Sequence, residues 1–278
     1  MNKFLILANT EKDIDLKLSN KISEYLSGFG ADVRIISDML KEQDEDIIKA
    51  EYMEGVQAAI VLGGDGTMLR AAHWIGSYEV PLMGVNLGTM GFLTEVEESN
   101  VYTALDRLLN DDFKIENRMM IEGRVKDKVY HSLNDIVITR AGFSRIIGLN
   151  VYVNGQLLDT YEADGVIVAT PTGSTGYNLS AGGPIVSPKS KVIVVTPISP
   201  HSLTTKSVVF DSNDNIRIEI VKKRKTQETE AIVSFDGGSN MELSAGDNVY
   251  ANISSKEINL IKMYDVNFYS VLREKIGG

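Results

Sequence analysis

The stretch Ala58-Ala59-Ile60-Val61-Leu62-Gly63-Gly64-Asp65-Gly66-Thr67 narrows what this chain can be more than any other. Its apolar half reads as a buried strand, and it stops at glycines set around a single carboxylate. Met68, Leu69, Ala71, Ala72 and Ile75 then follow at helical spacing. Strand, glycine turn and helix in that order bring backbone N–H groups and a helix N-terminus together on an anion. Gly63, Gly64 and Gly66 admit a phosphate at close range, because no Cβ stands in the way. An acid in such a loop would repel that phosphate, so Asp65 needs a reason of its own. Either it holds a divalent cation, or it takes the proton from a hydroxyl that attacks the phosphate. The plainer alternative is a tight strand-to-helix turn with Asp65 or Thr67 as its N-cap.

Around this stretch the first third of the chain alternates in character. Lys3–Ala8 reads as a strand, and Ile14, Leu18, Ile22, Leu26 and Phe29 mark one face of a helix stopped by Gly28 and Gly30. Val33–Ile36 is a second strand, followed by an acidic, exposed segment from Lys41 to Glu54. After the glycine turn and its helix, Pro81–Asn86 forms another strand and leads into a second glycine turn, Gly88-Thr89-Met90-Gly91. Val101, Leu105, Leu108 and Leu109 supply a further helix. Strands alternating with helices predict a parallel sheet covered on both faces, with ligands beyond the carboxyl ends of its strands. Both glycine turns lie at those ends, so one cleft can use both.

From about Phe113 the pattern changes to short β-branched or alternating runs. These are Lys114–Val125, Val129–Arg140, Leu149–Val153, Val166–Ala169, Val192–Thr196, Lys206–Phe210, Ile216–Val221, Ala231–Asp236 and Asn248–Ile253. Turn signals such as Asn154-Gly155 and Asp211-Ser212-Asn213-Asp214 separate them. Val266–Ile276 returns to helical spacing. The expected fold is an α/β N-terminal domain with a Rossmann-like parallel sheet, residues 1–98 plus 263–278, and a larger β-rich, sandwich-like domain, residues 99–262. The last helix packs back on the first domain.

Charge and composition exclude several classes. A net charge of −10 argues against a general nucleic-acid binder, which needs a basic face. The run Lys222-Lys223-Arg224-Lys225 reads as a solvated loop between strands. With no cysteine, disulfides, thiolate metal sites and cysteine nucleophiles are all removed, and a cytoplasmic protein is expected. The N-terminal apolar run is too short for a signal peptide, and no apolar run is long enough to span a bilayer. The G-x-x-x-x-G-K-[ST] phosphate loop, a post-strand G-x-G-x-x-G and H-E-x-x-H are all missing, and His73, His131 and His201 lie far apart in sequence.

A second dense stretch runs from Asp164 to Pro184. A strand delivers Thr170-Pro171-Thr172-Gly173-Ser174-Thr175-Gly176, and a short helix through Tyr177, Asn178, Leu179 and Ser180 follows. Small hydroxyls and amides can read the edge of a flat polar ring while Tyr177 offers a face to stack on it; a Ser/Thr-capped turn between strands is the alternative. Asn134-Asp135 sets an amide beside an acid, which suits a ribose diol or a plain strand-edge bulge.

Taken together, Gly63–Thr67, Asn86-Leu87-Gly88-Thr89-Met90-Gly91-Phe92-Leu93, Asn134-Asp135, Asp164-Gly165, Thr170–Pro184 and Ile198-Ser199-Pro200-His201-Ser202-Leu203 resemble the NAD kinases in order and spacing. The Gly-Gly-Asp-Gly-Thr element alone is shared with lipid kinases and phosphofructokinases; the motif from Asp164 to Pro184 singles out NAD kinases. The resemblance implies phosphoryl transfer from ATP to the 2′-hydroxyl of the adenosine ribose of NAD, with a divalent ion, Mg²⁺ above others. It implies that Asp65 activates the hydroxyl and that Gly63, Gly64, Gly66 and Thr67 hold the donor phosphates, with Arg70 offsetting their charge. Asn134 and Asp135 would grip the dinucleotide, and Thr172, Thr175, Tyr177 and Ser180 would frame adenine. Asp164 would face the nicotinamide end with Glu162 and Arg145 near it. Asn86, Phe92, Gly176, Asn178, Leu179 and His201 complete the implied nucleotide-binding set. It further implies small-molecule nucleotides as partners, no nucleic acid or membrane, and a homodimer or homotetramer. Three positions depart from the family pattern: Thr89 where Arg is frequent, Gly176 where Ala is common, and Gly238 where Gln often contacts substrate. The rivals are a lipid kinase of the diacylglycerol or sphingosine type, which would need an apolar acceptor cleft, and a non-catalytic nucleotide sensor on the same fold.

Overall fold

The computed structural model describes residues 1–37, 50–142, 146–202, 204–221, 231–264 and 268–276. Most of the acidic segment that begins at Lys41, Arg145, Leu203, the Lys222–Lys225 run and Val266 lie outside the described residues. The chain divides into two compact units, Met1–Asn117 with Ile258–Gly278, and Arg118–Glu257. The sequence boundary at residue 98 falls before a helix, Val101–Leu109, that belongs to the first unit because its apolar face joins that unit's core.

In the first unit the strands are β1 (Lys3–Ala8), β2 (Asp32–Ser37), β3 (Ala58–Gly63), β4 (Leu82–Asn86) and the short β5 (Val96–Glu97). They pair in parallel in the order β4-β3-β1-β2, and β4 is also paired by β5 through Val85 and Val96 and, at Leu82, by Leu260 of the returning chain. Every residue of β3 is buried, as its unbroken apolar sequence requires of a strand covered on both faces. Among the described residues the helices α1 (Lys17–Gly28), α2 (Asp65–Ile75) and α3 (Val101–Leu109) accompany them. Helix α1 buries Leu18, Ile22 and Leu26 at the expected spacing, each such side chain being worth about 1.5–3 kcal/mol. Its first turn is satisfied from outside, since the Asp13 carboxylate accepts the N–H groups of Leu18 at 2.8 Å and Ser19 at 2.9 Å.

The second unit is a pair of antiparallel sheets around one core. Its strands are β6 (Lys114–Val125, entering from the first unit), β7 (Lys128–Ser132), β8 (Asp135–Arg140), β9 (Ile147–Val153), β10 (Gln156–Ala163), β11 (Gly165–Ala169), β12 (Val192–Ile198), β13 (Val208–Asp211), β14 (Ile216–Val221), β15 (Ala231–Phe235), β16 (Asn240–Leu243) and β17 (Asn248–Lys262, whose residues from Ile258 on belong to the first unit). One sheet runs β13-β12-β11-β8-β15-β16, and the other includes β10-β9-β14-β17. Ile136, Ile138, Val166, Val168, Ile193 and Val233 of the first meet Leu149, Val151, Ile216, Ile218 and Val249 of the second. The run Val129–Arg140 is two strands, not one, because the chain turns at Leu133-Asn134. Strands β10 and β16 carry no clean alternation, and β10 leaves Gln156 to Thr160 exposed, which hid it in the sequence. The short helix α4 (Tyr177–Ser180) follows β11, and α5 (Phe268–Ile276) closes the first unit.

Candidate functional site

Each unit holds a cavity, polar in the first and mixed in the second. In the first, a cavity of about 320 Å³ opens where β1, β3 and β4 end, lined by Asn9, Glu11, Lys12, Gly64, Asp65, Gly66, Thr67, Arg70, Thr89, Gly91 and Lys275. Gly64 is the N-cap of α2 and has no side chain to cap with, so the N-cap alternative for Asp65 or Thr67 is corrected. Asp65 is instead the first helical residue. Thr67 folds back over the strand end, occupying the volume a Cβ on Gly63 would need. The Thr67 hydroxyl oxygen is within bonding distance of Asn9 Nδ2 at 3.2 Å and Arg70 Nη2 at 3.4 Å.

The two glycine turns are tied to each other by Asp65. Its Oδ2 accepts the Phe92 N–H at 2.8 Å and its Oδ1 accepts the Leu93 N–H at 3.0 Å. The carboxylate lies against Gly91, where any Cβ would collide with it. Asn86 shapes the same turn, its amide donating to the Gly88 carbonyl at 2.9 Å while Leu87 N–H bonds Gly63 O at 3.0 Å. The Phe92 ring sits 5.8 Å from Phe268 of α5. Asp65, Gly64, Gly66, Thr67, Arg70, Asn86 and Phe92 are therefore one structural cluster.

In the second unit the organising group is one the sequence reading passed over. The Asp236 carboxylate accepts three successive N–H groups, from Leu133 at 2.7 Å, Asn134 at 2.8 Å and Asp135 at 2.9 Å. The Asp164–Pro184 stretch is strapped to the same turn: Thr170 N–H bonds Asn134 O at 2.9 Å, its hydroxyl bonds Leu133 O at 2.5 Å, and Gly173 packs where a Cβ would strike the Asn134 carbonyl. Asn134 Nδ2 and Asp135 Oδ2 come within 3.7 and 4.0 Å of the point where a Gly176 Cβ would stand. Burial, with the Asp236 charge beside it, pushes the Asp135 carboxyl up to about 7.

Beside this turn a cavity of about 340 Å³ is lined by Thr139, Arg140, Ala141, Gly142, Asp164, Tyr177 and Ile198. Tyr177 is 45% exposed, so its ring has a free face. Asp164 is paired with Arg140 at 2.8 Å. Glu162 and His201 are both exposed and meet through the His201 N–H on the Glu162 carbonyl at 2.8 Å. Leu179 is half-buried and Ser180 exposed on α4.

The hydroxyl-rich loop bonds itself more than the sequence suggests. Asn178 is fully buried, donating to Ser174 O and Pro184 O at 3.0 Å each and accepting from Thr196 at 2.7 Å. Ser174 bridges Pro171 and Val186, Thr175 bonds Thr172 O at 3.3 Å, and buried Arg118 donates to Thr172 at 3.2 Å. Asn178 and Ser174 thus act as internal posts, which leaves Thr175, Tyr177 and Ser180 as the side chains of the expected adenine frame that reach the surface. Asn9, Glu11, Lys12, Arg118, Arg140, Asp236 and Lys275 are among the side chains at these sites that the sequence does not single out. Only the Asp236-Gly237-Gly238 turn signal hinted at one of them. Among the described residues no group of three or more His, Asp or Glu side chains could by itself hold a metal ion, and no helix is long and apolar enough to cross a membrane.

Comparison with known proteins agrees across both units. Family models described as the ATP-NAD kinase N-terminal domain and C-terminal domain match residues 4–113 and 133–263. The NAD kinase of Lachnoclostridium phytofermentans is 43% identical over 284 residues, covering 100% of this chain and 99% of that protein. The NAD kinase of Agathobacter rectalis is 44% identical over 281 residues, with the same coverage of 100% and 99%. Among solved structures, yeast NADH kinase complexed with NADH superposes with a TM-score of 0.88 at 25% identity, covering 100% of this chain and 88% of that one.

Proposed function

The chain belongs to the NAD kinase family, and on that premise we propose that it transfers a phosphoryl group from ATP to the 2′-hydroxyl of the adenosine ribose of NAD. The observation that carries the mechanism is the acid inside a phosphate cradle. Gly64, Gly66 and Thr67 present backbone and hydroxyl to the donor phosphates, and Arg70 offsets their charge, whereas Gly63, expected to join them, is buried at the end of β3 with Thr67 packed over it. The ribose oxygen forms its bond to the terminal phosphorus as the bond to the bridging oxygen breaks and ADP leaves. The hydroxyl proton goes to Asp65, each of whose oxygens spends one lone pair on a backbone N–H and keeps another for that proton. Holding Asp65 by two amides fixes its direction, which matters because phosphoryl transfer depends on positioning.

In the second unit Asn134 and Asp135 grip the ribose, Tyr177 stacks on adenine, and Gly176 leaves room for the ring between them. Thr172, Thr175 and Ser180 frame adenine. Asp164, oriented by Arg140, faces the nicotinamide end with Glu162 and His201 near it. A divalent cation, Mg²⁺, fits the donor cavity: Glu11 lines it and would complete the ion's shell with phosphate oxygens and water, leaving Asp65 to the proton. When bound it neutralises phosphate charge. The enzyme works in the cytoplasm as a homodimer or homotetramer, a reading supported by family likeness and by the exposed β10 edge.

The test is an acceptor panel with labelled ATP and Mg²⁺. NAD is expected to take the label as NADP, and diacylglycerol and sphingosine to take none. Label on a lipid, or ATP binding without any transfer, would move the chain to one of the rival classes.

A further inference from the structure

The chain leaves β1 toward β2 on one side and returns to β3 on the other, so the strand order reverses between β1 and β3. Open parallel sheets bind ligands beyond the carboxyl ends of their strands at such a reversal. The loop after β3 is the first glycine turn. The loop after β1 carries Lys12, and its backbone is pinned by Asn9 N–H on Leu62 O at 3.1 Å and Lys12 N–H on Asn9 O at 3.0 Å. The Lys12 ammonium lies 3.2 Å from where a side chain on Gly64 would begin and 3.5 Å from the same point on Gly88. It therefore stands over both glycine turns at once. Among the described residues it has no ion-pair partner, although the chain carries a net charge of −10. An ammonium is three donors with no acceptor, so this one is left to answer to an anion in the cavity.

We propose that Lys12 grips the donor's phosphate chain across the two glycine turns and stabilises the charge on the phosphoryl group in flight. The proposal rests on reading the first unit's cavity as the donor site. Arg70 is committed to one side through Thr67, and Lys275 stands on α5, 5.6 Å from the Phe92 ring. Lys12 alone reaches over both Gly64 and Gly88.

The experiment compares the full chain with Lys12→Gln and Lys12→Arg. Binding of inorganic tripolyphosphate and of ATP is measured by calorimetry without NAD, and turnover by NADP formation. Lys12→Gln should weaken both anions about 10-fold or more and lower kcat about 10²-fold, the scale of one lost transition-state donor. The KM for NAD should stay where it was, and Lys12→Arg should restore most of the anion affinity. Parent-like anion binding and turnover in Lys12→Gln would overturn the proposal, as would an equal loss of NAD affinity, which marks a purely structural lysine. If the unaltered chain fails to bind tripolyphosphate, the donor-site reading fails before Lys12 is reached.

Discussion

At the scale of single residues, two carboxyl groups are held in opposite ways. Asp65 faces two N–H donors, whereas Asp135 is buried beside the Asp236 charge and is pushed up to about 7 from 3.8. Between those values the folded chain keeps a proton on Asp135 that the unfolded chain has lost. Its contribution therefore turns progressively unfavourable as pH rises from about 4 to about 7 and stays constant above. Asp135→Asn should accordingly gain stability over the parent across that window, read as a rising difference in urea midpoint between pH 5 and pH 8. A pH-independent difference would mean the carboxyl is not raised. Gly91 gives a sharper steric case, since a Cβ there would occupy the Asp65 carboxylate's place. Gly91→Ala should break at least one of the two Asp65 bonds, worth about 1.5–3 kcal/mol when the acceptor is charged. It should lower donor binding by 10-fold or more in calorimetry with ATP; unchanged ATP affinity would show that the turn does not need Asp65.

At the scale of elements, the glycine turns were legible in the sequence because strand, glycines and helix follow without interruption. What ties them was not: Asp65 and Phe92 are 27 residues apart, and a carboxylate that bonds backbone leaves no partner residue type to look for. Asp236 is hidden for the same reason, since its carboxylate accepts from three main-chain N–H groups about a hundred residues away. The hydroxyls and amides of the loop 170–180 are alike in the sequence, yet burial turns Ser174 and Asn178 inward. Thr175, Tyr177 and Ser180 still reach the surface there, and Tyr177 is the aromatic face among them. Tyr177→Leu should weaken NAD by about 1 kcal/mol or somewhat more, the scale of aromatic stacking beyond burial, with the ATP constant little changed. Equal weakening of both substrates would make Tyr177 a packing residue.

At the scale of the whole molecule, the α/β and β-rich halves followed from the period of the apolar pattern, which changes from 3.6 to 2 near Phe113. The boundary did not, because α3 is amphipathic and only packing shows which core it serves. The long exposed strand β10 should not persist uncovered, and sedimentation at micromolar concentration is predicted to give a dimer or tetramer; a fully active monomer would contradict this. The central claim is that transfer to NAD runs through Asp65. The most direct measurement is the single-turnover rate of Asp65→Asn at saturating ATP, set beside NAD binding by calorimetry without ATP. Asn turns an NH₂ toward Phe92 or Leu93, so one loop bond is lost, which costs about 10-fold. Loss of a general base costs about 10²–10⁴-fold, so the account predicts a fall of at least 100-fold with NAD affinity nearly unchanged. A near-normal rate would contradict it and pass the proton to another group, with Asp135 the first candidate.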